Sequence, residues 1–234
     1  MAIPTGRCLI ACAVRHAMDN RTGICISSST TPSFREQQEL LVIAHTDAPG
    51  WPSLLPARQP MRSLSRILSP LPRTADVRLT AWSESRLIGL LLAETDPAPK
   101  VGLARLWRSL WLPPARLPAS LRRLLDSPAY ARPPGRQGYV SALAVDPRWR
   151  GQRIGMSLVR ALREQYPALA WVAHVDHPES HALFTHAGFE QTAQTEVEGL
   201  VIRTLQGHGR SCQAPRNSCL RKKAGGLLPR TAGQ

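Results

Sequence analysis

The chain has 234 residues, 43% of them hydrophobic, with five cysteines and a formal net charge of +14. That is room for one domain with a real core and barely for two. An odd number of cysteines without framework spacing excludes a disulfide scaffold, and no apolar run approaches the length of a membrane span.

The charge invites an anionic partner: nucleic acid, a membrane surface or a phosphorylated ligand. Its placement says otherwise. Residues 207–234 carry six basic side chains and no acid, and residues 1–34 carry +2, so 35–206 is only mildly basic. The charge is read as a basic, disordered tail over 207–234, with nucleic acid disfavoured and no membrane partner. Cys8, Cys12, Cys25, Cys212 and Cys219 all lie in the flanks. Cys212 and Cys219 beside His208 fit no common zinc spacing, so no metal is expected. Free thiols suit a reducing cytoplasm.

Residues 1–34 open with a short apolar run without a cleavage site, which argues against a signal peptide. They end in a Ser/Thr-rich stretch before Pro32. The segment reads as a disordered leader or a start placed too early. The continuous apolar run at 39–44 predicts a buried strand. Thr46-Asp47-Ala48-Pro49 then reads as a helix start. Met61, Leu64, Ile67 and Leu68 keep helical spacing over 61–68. Alternation over 77–82, a polar turn at 83–86 and an apolar run over 87–93 predict a hairpin. Residues 97–136 read as a helical excursion broken by prolines, with Leu103, Leu106, Trp107, Leu110 and Trp111 on one face. Beyond it come a strand over 139–145, a turn at 150–155, and a helix over 154–164. A strand over 168–175 and a helix over 179–187 follow, then two closing strands at 190–193 and 200–205.

Chemistry concentrates in 140–155, VSALAVDPRWRGQRIG. A strand, a Pro-bounded loop and a glycine turn lead into a helix N-terminus. Free N–H groups and the helix dipole there favour an anion. Gly151 and Gly155 allow close backbone approach to a diphosphate. Arg148, Arg150 and Arg153 add positive charge.

These residues resemble motif A of the Gcn5-related N-acetyltransferases (GNAT), in which a strand ending Leu-Ala-Val precedes Arg/Gln-x-x-Gly-x-Gly/Ala. Leu143-Ala144-Val145, Pro147, Arg150 and Gly155 match. Arg153 stands where the family has glycine, and its first-turn place is expected to let it keep a helical φ. A second stretch, 177–189 (HPESHALFTHAGF), is similar to motif B, Asn-x-x-Ala-x-x-Leu-Tyr-x-x-x-Gly-Phe. Leu183, Gly188 and Phe189 match; His177 replaces asparagine, Ser180 alanine and Phe184 tyrosine. Two motifs in order, separated by a helix and a strand, are far more specific than either alone.

The resemblance spans about residues 35–206. It implies a mixed α/β (α+β) acyl-CoA N-acyltransferase fold: a mostly antiparallel sheet flanked by helices, splayed between two parallel strands. It implies acetyl-CoA as cosubstrate, bound by Leu143, Ala144, Val145, Arg150, Gly151, Gln152, Arg153, Ile154, Gly155, His177, Ser180 and Phe184. The implied reaction is direct attack of an amine, from a small molecule or a peptide, on the thioester. A homodimer is compatible with it. Phe184 cannot supply the acid that the motif B tyrosine often provides, so Tyr139 is the candidate donor. Glu94 is the candidate base, with His174 and Asp176 also considered. Two other functions compete: a degenerate module holding acyl-CoA without turnover, and, ranked last, an anionic-surface or nucleic-acid binder acting through the tail.

Overall fold

The computed structural model describes residues 17–19, 23–46, 64–65, 68–96, 137–197 and 199–208. The expectations placed on 47–49, on most of 61–67, on the 97–136 excursion and on the tail beyond 208 fall outside these residues. The structure is mixed α/β. Its elements in chain order are β1 (Ala17–Asp19), β2 (Ile24–Ser27), α1 (Phe34–Thr46), α2 (Leu71–Thr74), β3 (Val77–Ser83), β4 (Arg86–Glu94), β5 (Gln137–Val145), a 3-10 turn (Pro147–Trp149), α3 (Ile154–Gln165), β6 (Ala170–Val175), α4 (Pro178–His186), β7 (Glu190–Val197) and β8 (Leu200–Gly207).

Two expectations for the N-terminal region are corrected. Residues 39–44 are helical, not a strand. Ser33 and Glu36 form a reciprocal capping box: Ser33 N donates to Glu36 Oε2 at 2.7 Å, and Glu36 N donates to Ser33 Oγ at 3.2 Å. The box starts α1, and the burial pattern is helical. Gln37, Leu40 and Leu41 face inward, while Ile43 is 45% exposed. The second correction concerns the leader, because β2 lies inside it. Ile24–Ser27 pairs antiparallel with β3, and Ser27 and Ile24 are buried.

The eight strands run β1-β2-β3-β4-β5-β6-β8-β7. All neighbours are antiparallel except β5 and β6. That parallel pair is joined through α3, as parallel strands need a crossover. Pairing stops early: the last partners are Val140↔Ala173, although β5 continues to Val145 and β6 to Val175. The strands therefore diverge from Ser141 and His174 onward.

Alternation along β4 sets the two faces. A Cβ on Gly89 would meet Ile154 and Leu158, so Gly89, Leu91 and Ala93 face α3. Their partners Val145, Leu143 and Val140 share that face, and the core there includes Leu158, Val159, Leu162, Trp171 and Phe189. Leu90, Leu92 and Glu94 point the other way with Ala144, Ala142 and Tyr139. Helix α1 packs on β4 and β5 from that side. At about 25 cal/mol per Å² of apolar area removed from water, these two layers supply the main stabilisation. One register shift matters for the site. Leu92 pairs with Ala142 and Ala93 with Val140, leaving Ser141 as the extra residue of a β-bulge in β5.

Candidate functional site

Where β5 and β6 part, a cleft of about 480 Å³ opens through the sheet. Its two sides differ in chemistry because they sit on opposite faces.

On the α3 side the wall is backbone and apolar side chain. Leu143, Val145, Ile154, Met156, Leu183 and Phe184 line it, with the 150–155 turn at its end. Gly151 has φ +80. Arg153, the N-cap of α3, has φ +61 and ψ 14, a left-handed conformation. The expectation of a helical φ at Arg153 is thus overturned. The turn needs a left-handed residue before the helix, which is why glycine suits that place. No side chain caps α3, so its first-turn N–H groups face an anion site unblocked. At Gly155 a Cβ would stand 2.6 Å from Leu183 Cδ1, so a larger residue would make that side chain shift.

Two of the three arginines at this turn are turned elsewhere. Arg148 Nη2 lies 3.1 Å from the buried Asp146 Oδ2, which Arg86 Nη2 also approaches at 2.9 Å. Arg150 Nη2 donates to the Ala44 carbonyl at 3.1 Å, tying the turn to the end of α1.

The second motif resolves into distinct roles. His177 caps α4, its Nδ1 accepting from Glu179 N at 3.2 Å, with Pro178 in the first turn. Ser180 and Phe184 line the cleft. Phe184 is buried edge-on against Phe189, with ring centroids 5.0 Å apart. Gly188 has φ +82 and stops α4, and Phe189 N donates to the Phe184 carbonyl. The Gly188-Phe189 pair is therefore a helix stop and a core anchor. Of the twelve residues expected to bind the cosubstrate, Ala144 and Gln152 do not line the cleft. Ala144 is buried in the sheet on the α1 face, and Gln152 is exposed.

The α1 side carries the buried titratable groups. Tyr139 and His174 meet across the last paired residues, with Oη and Nδ1 3.2 Å apart. Burial pushes His174 down to about 4, so the ring is neutral at pH 7. Glu94 is 4% exposed and does not line the cleft. Ser141 does, and its Oγ donates to Glu94 Oε1 at 3.0 Å. Asp176 follows β6 into the same space.

Sequence reasoning missed Ser141 and His45. His45, in the last turn of α1, lines the cleft beside Ala44. Its Nδ1 is 2.7 Å from the Leu41 carbonyl. A carbonyl only accepts, so Nδ1 carries the proton and Nε2 keeps its lone pair. Burial holds the ring below the ordinary imidazole value; the Leu41 carbonyl and the Asp176 carboxylate oppose this, and the Arg150 charge adds to it. Reading 39–44 as a strand hid this residue.

A mostly antiparallel sheet, opened between its one parallel pair beside an uncapped helix N-terminus, is the architecture of an acyltransferase. The sequence profile of the Acetyltransferase (GNAT) family matches residues 60–189, more than half of the chain, and the chain belongs to that family. No curated protein matches it in sequence. Among solved structures, a histone acetyltransferase HPA2 and related acetyltransferase of Corynebacterium glutamicum is similar in fold. Its TM-score is 0.56 at 15% identity, covering 80% of this chain and 96% of that one. A putative arylalkylamine N-acetyltransferase 7 of the yellow fever mosquito gives 0.52 at 13%, covering 78% and 86%. PH1933 of Pyrococcus horikoshii gives 0.51 at 11%, covering 79% and 98%. At these identities the likeness is one of fold. Among the described residues no helix is long and apolar enough to cross a membrane.

Proposed function

We propose that the protein transfers an acetyl group from acetyl-CoA to the amine of a small molecule or a peptide, in the cytoplasm. The observation that carries this reading is the diverging β5–β6 pair ending at an uncapped α3 N-terminus. Leu143, Val145 and Leu183 suit the pantetheine arm, and the 150–155 turn suits the pyrophosphate. The cleft passes through the sheet, so an acceptor reaches the thioester from the α1 side.

There a neutral amine attacks the thioester carbonyl and the thiolate leaves. Holding both reactants in one cleft supplies much of the acceleration. The bulge at Ser141 turns backbone out of the ladder, where an N–H can polarise the carbonyl. Phe184 has no proton to give, so Tyr139, held by His174, protonates the thiolate and is restored by the proton that the acylated nitrogen sheds. Glu94 receives the ammonium proton. Each such transfer contributes on the order of a hundredfold or more.

Isothermal titration of the full chain with acetyl-CoA, together with thiol release over a panel of amines, tests the reading. Binding and release with at least one amine are expected. Absence of acetyl-CoA binding would overturn it.

A further inference from the structure

Glu94 is walled off from the cleft, yet the reaction proposed above asks it to take a proton from a group inside. The side chain between them is Ser141. Three observations converge on it. It is the extra residue of the β5 bulge, which frees it from the regular ladder. It is the first β5 residue beyond the last pair with β6, so it stands where the cleft begins. Its hydroxyl donates to Glu94 Oε1 at 3.0 Å while the residue itself lines the cleft. A hydroxyl has one proton and two lone pairs. With the proton committed to the carboxylate, the lone pairs are left to accept from a donor in the cleft.

We infer that Ser141 is a proton relay: it accepts a proton from the acceptor's ammonium group and passes its own to Glu94. The balance is simple. One N–H bond breaks as an O–H bond forms on Ser141 Oγ, and the original Oγ–H breaks as an O–H forms on Glu94 Oε1. The cationic amine becomes neutral and nucleophilic, and the carboxylate becomes a neutral acid. Glu94 returns its proton to solvent by the same route after the product leaves. The geometry favours an acceptor that arrives as a cation, an alkylammonium rather than an aryl amine, because only a cation must give up a proton before it can attack. This rests on the acetyl-transfer reading.

The test compares two acceptors in the full chain with acetyl-CoA. Phenethylamine is cationic at neutral pH, and aniline is neutral. Ser141→Ala and Glu94→Gln are each expected to lower kcat/KM for phenethylamine about a hundredfold and for aniline less than about threefold. Ser141→Thr, which keeps the hydroxyl, retains most of the rate. The double variant is no worse than either single one, because the two groups act as a unit. Thermal melts separate a folding defect from a catalytic one, and Ser141→Ala serves if Glu94→Gln does not fold. Equal losses with both amines would make Ser141 merely structural and overturn the relay. So would an acceptor-selective loss in His45→Gln rather than in Ser141→Ala, or an acetylated Ser141 trapped on quenching, which would make it a nucleophile. A wild-type chain that binds no acetyl-CoA overturns the acetyl-transfer reading, and the relay with it. One that acetylates aniline and other amines normally while Ser141→Ala is unimpaired overturns the relay alone.

Discussion

The two halves of the cleft are built by opposite means. The α3 side is mostly backbone and hydrocarbon: an uncapped helix end, the glycine turn and a row of apolar side chains, with Arg153, His177, Glu179 and Ser180 beside them. The α1 side is a set of ionisable side chains brought from α1, β4, β5 and β6. The first half needs only shape and a dipole, which one contiguous segment can encode. The second needs several groups placed within hydrogen-bond reach, which only the tertiary fold can supply. On the proposed reading, the cosubstrate meets the first half and the acceptor the second.

The largest expected effect breaks this contrast from the α1 side. The folded-state value of His174, about 4, lies below the ordinary imidazole value of 6.5. The unfolded chain therefore binds the proton first as pH falls. Stability is untouched above 6.5, declines through the interval, and levels off below 4. The full loss is roughly 3 kcal/mol. His45, also pushed down by burial, adds loss in the same direction. Urea unfolding of His174→Gln between pH 4 and 7 should show a flatter acid branch than wild type. An unchanged slope would mean that the ring is solvated and no part of a dry acceptor site.

From the α3 side, Gly155→Ala places a Cβ 2.6 Å from Leu183 Cδ1. The end of that side chain can yield in part, so the expected destabilisation is about 2 kcal/mol. Acetyl-CoA affinity should fall about tenfold as the first turn of α3 shifts away from the phosphate position. Calorimetry and chemical denaturation read the two separately. Lost stability with unchanged affinity would place the cosubstrate elsewhere.

Tyr139→Phe tests whether the halves act together. Removing the hydroxyl deletes its contact with His174 Nδ1 and costs about 1 kcal/mol of stability. If Tyr139 is the thiolate's donor, thiol release slows while acetyl-CoA binding is kept. Adding Phe184→Tyr, from the other wall, should then recover part of the rate. A rate untouched by Tyr139→Phe would remove it from the reaction.

Legibility in the sequence follows the same divide. The β3–β4 hairpin, β5, α3, β6, α4 and the closing strands lie where periodicity placed them, and the two motifs with their glycines marked the α3 half. Strand β4 reads as a continuous apolar run because each of its faces meets a helix. Helix α1 was missed. Its apolar run at 39–44 looks like a buried strand, and the decisive signal, Ser33 with Glu36 three residues on, lies upstream of the run. Strand β2 was missed because four residues with two polar-sized side chains, Cys25 and Ser27, carry little periodic signal; their place is fixed by pairing with β3, more than fifty residues away. The Ser141–Glu94 and Tyr139–His174 contacts span 47 and 35 residues, and no local pattern records them. The bulge that makes Ser141 special is a property of two registers, not of one strand.

The smallest expected effect concerns Arg153, where sequence reasoning anticipated a helical residue and the turn demands a left-handed one. A non-glycine residue at φ +61 carries a conformational cost of about 1 kcal/mol. Arg153→Gly removes that cost, less what glycine adds to the entropy of the unfolded chain, and should raise the melting temperature by about two degrees. The effect on ligand separates two origins of phosphate affinity. If the uncapped N–H groups of α3 hold the anion, acetyl-CoA affinity should weaken less than about threefold, and the difference should vanish at high salt as surface charge is screened. A tenfold loss would shift the binding energy from backbone to the Arg153 guanidinium, and the α3 half of the cleft would then depend on a side chain as fully as the α1 half does.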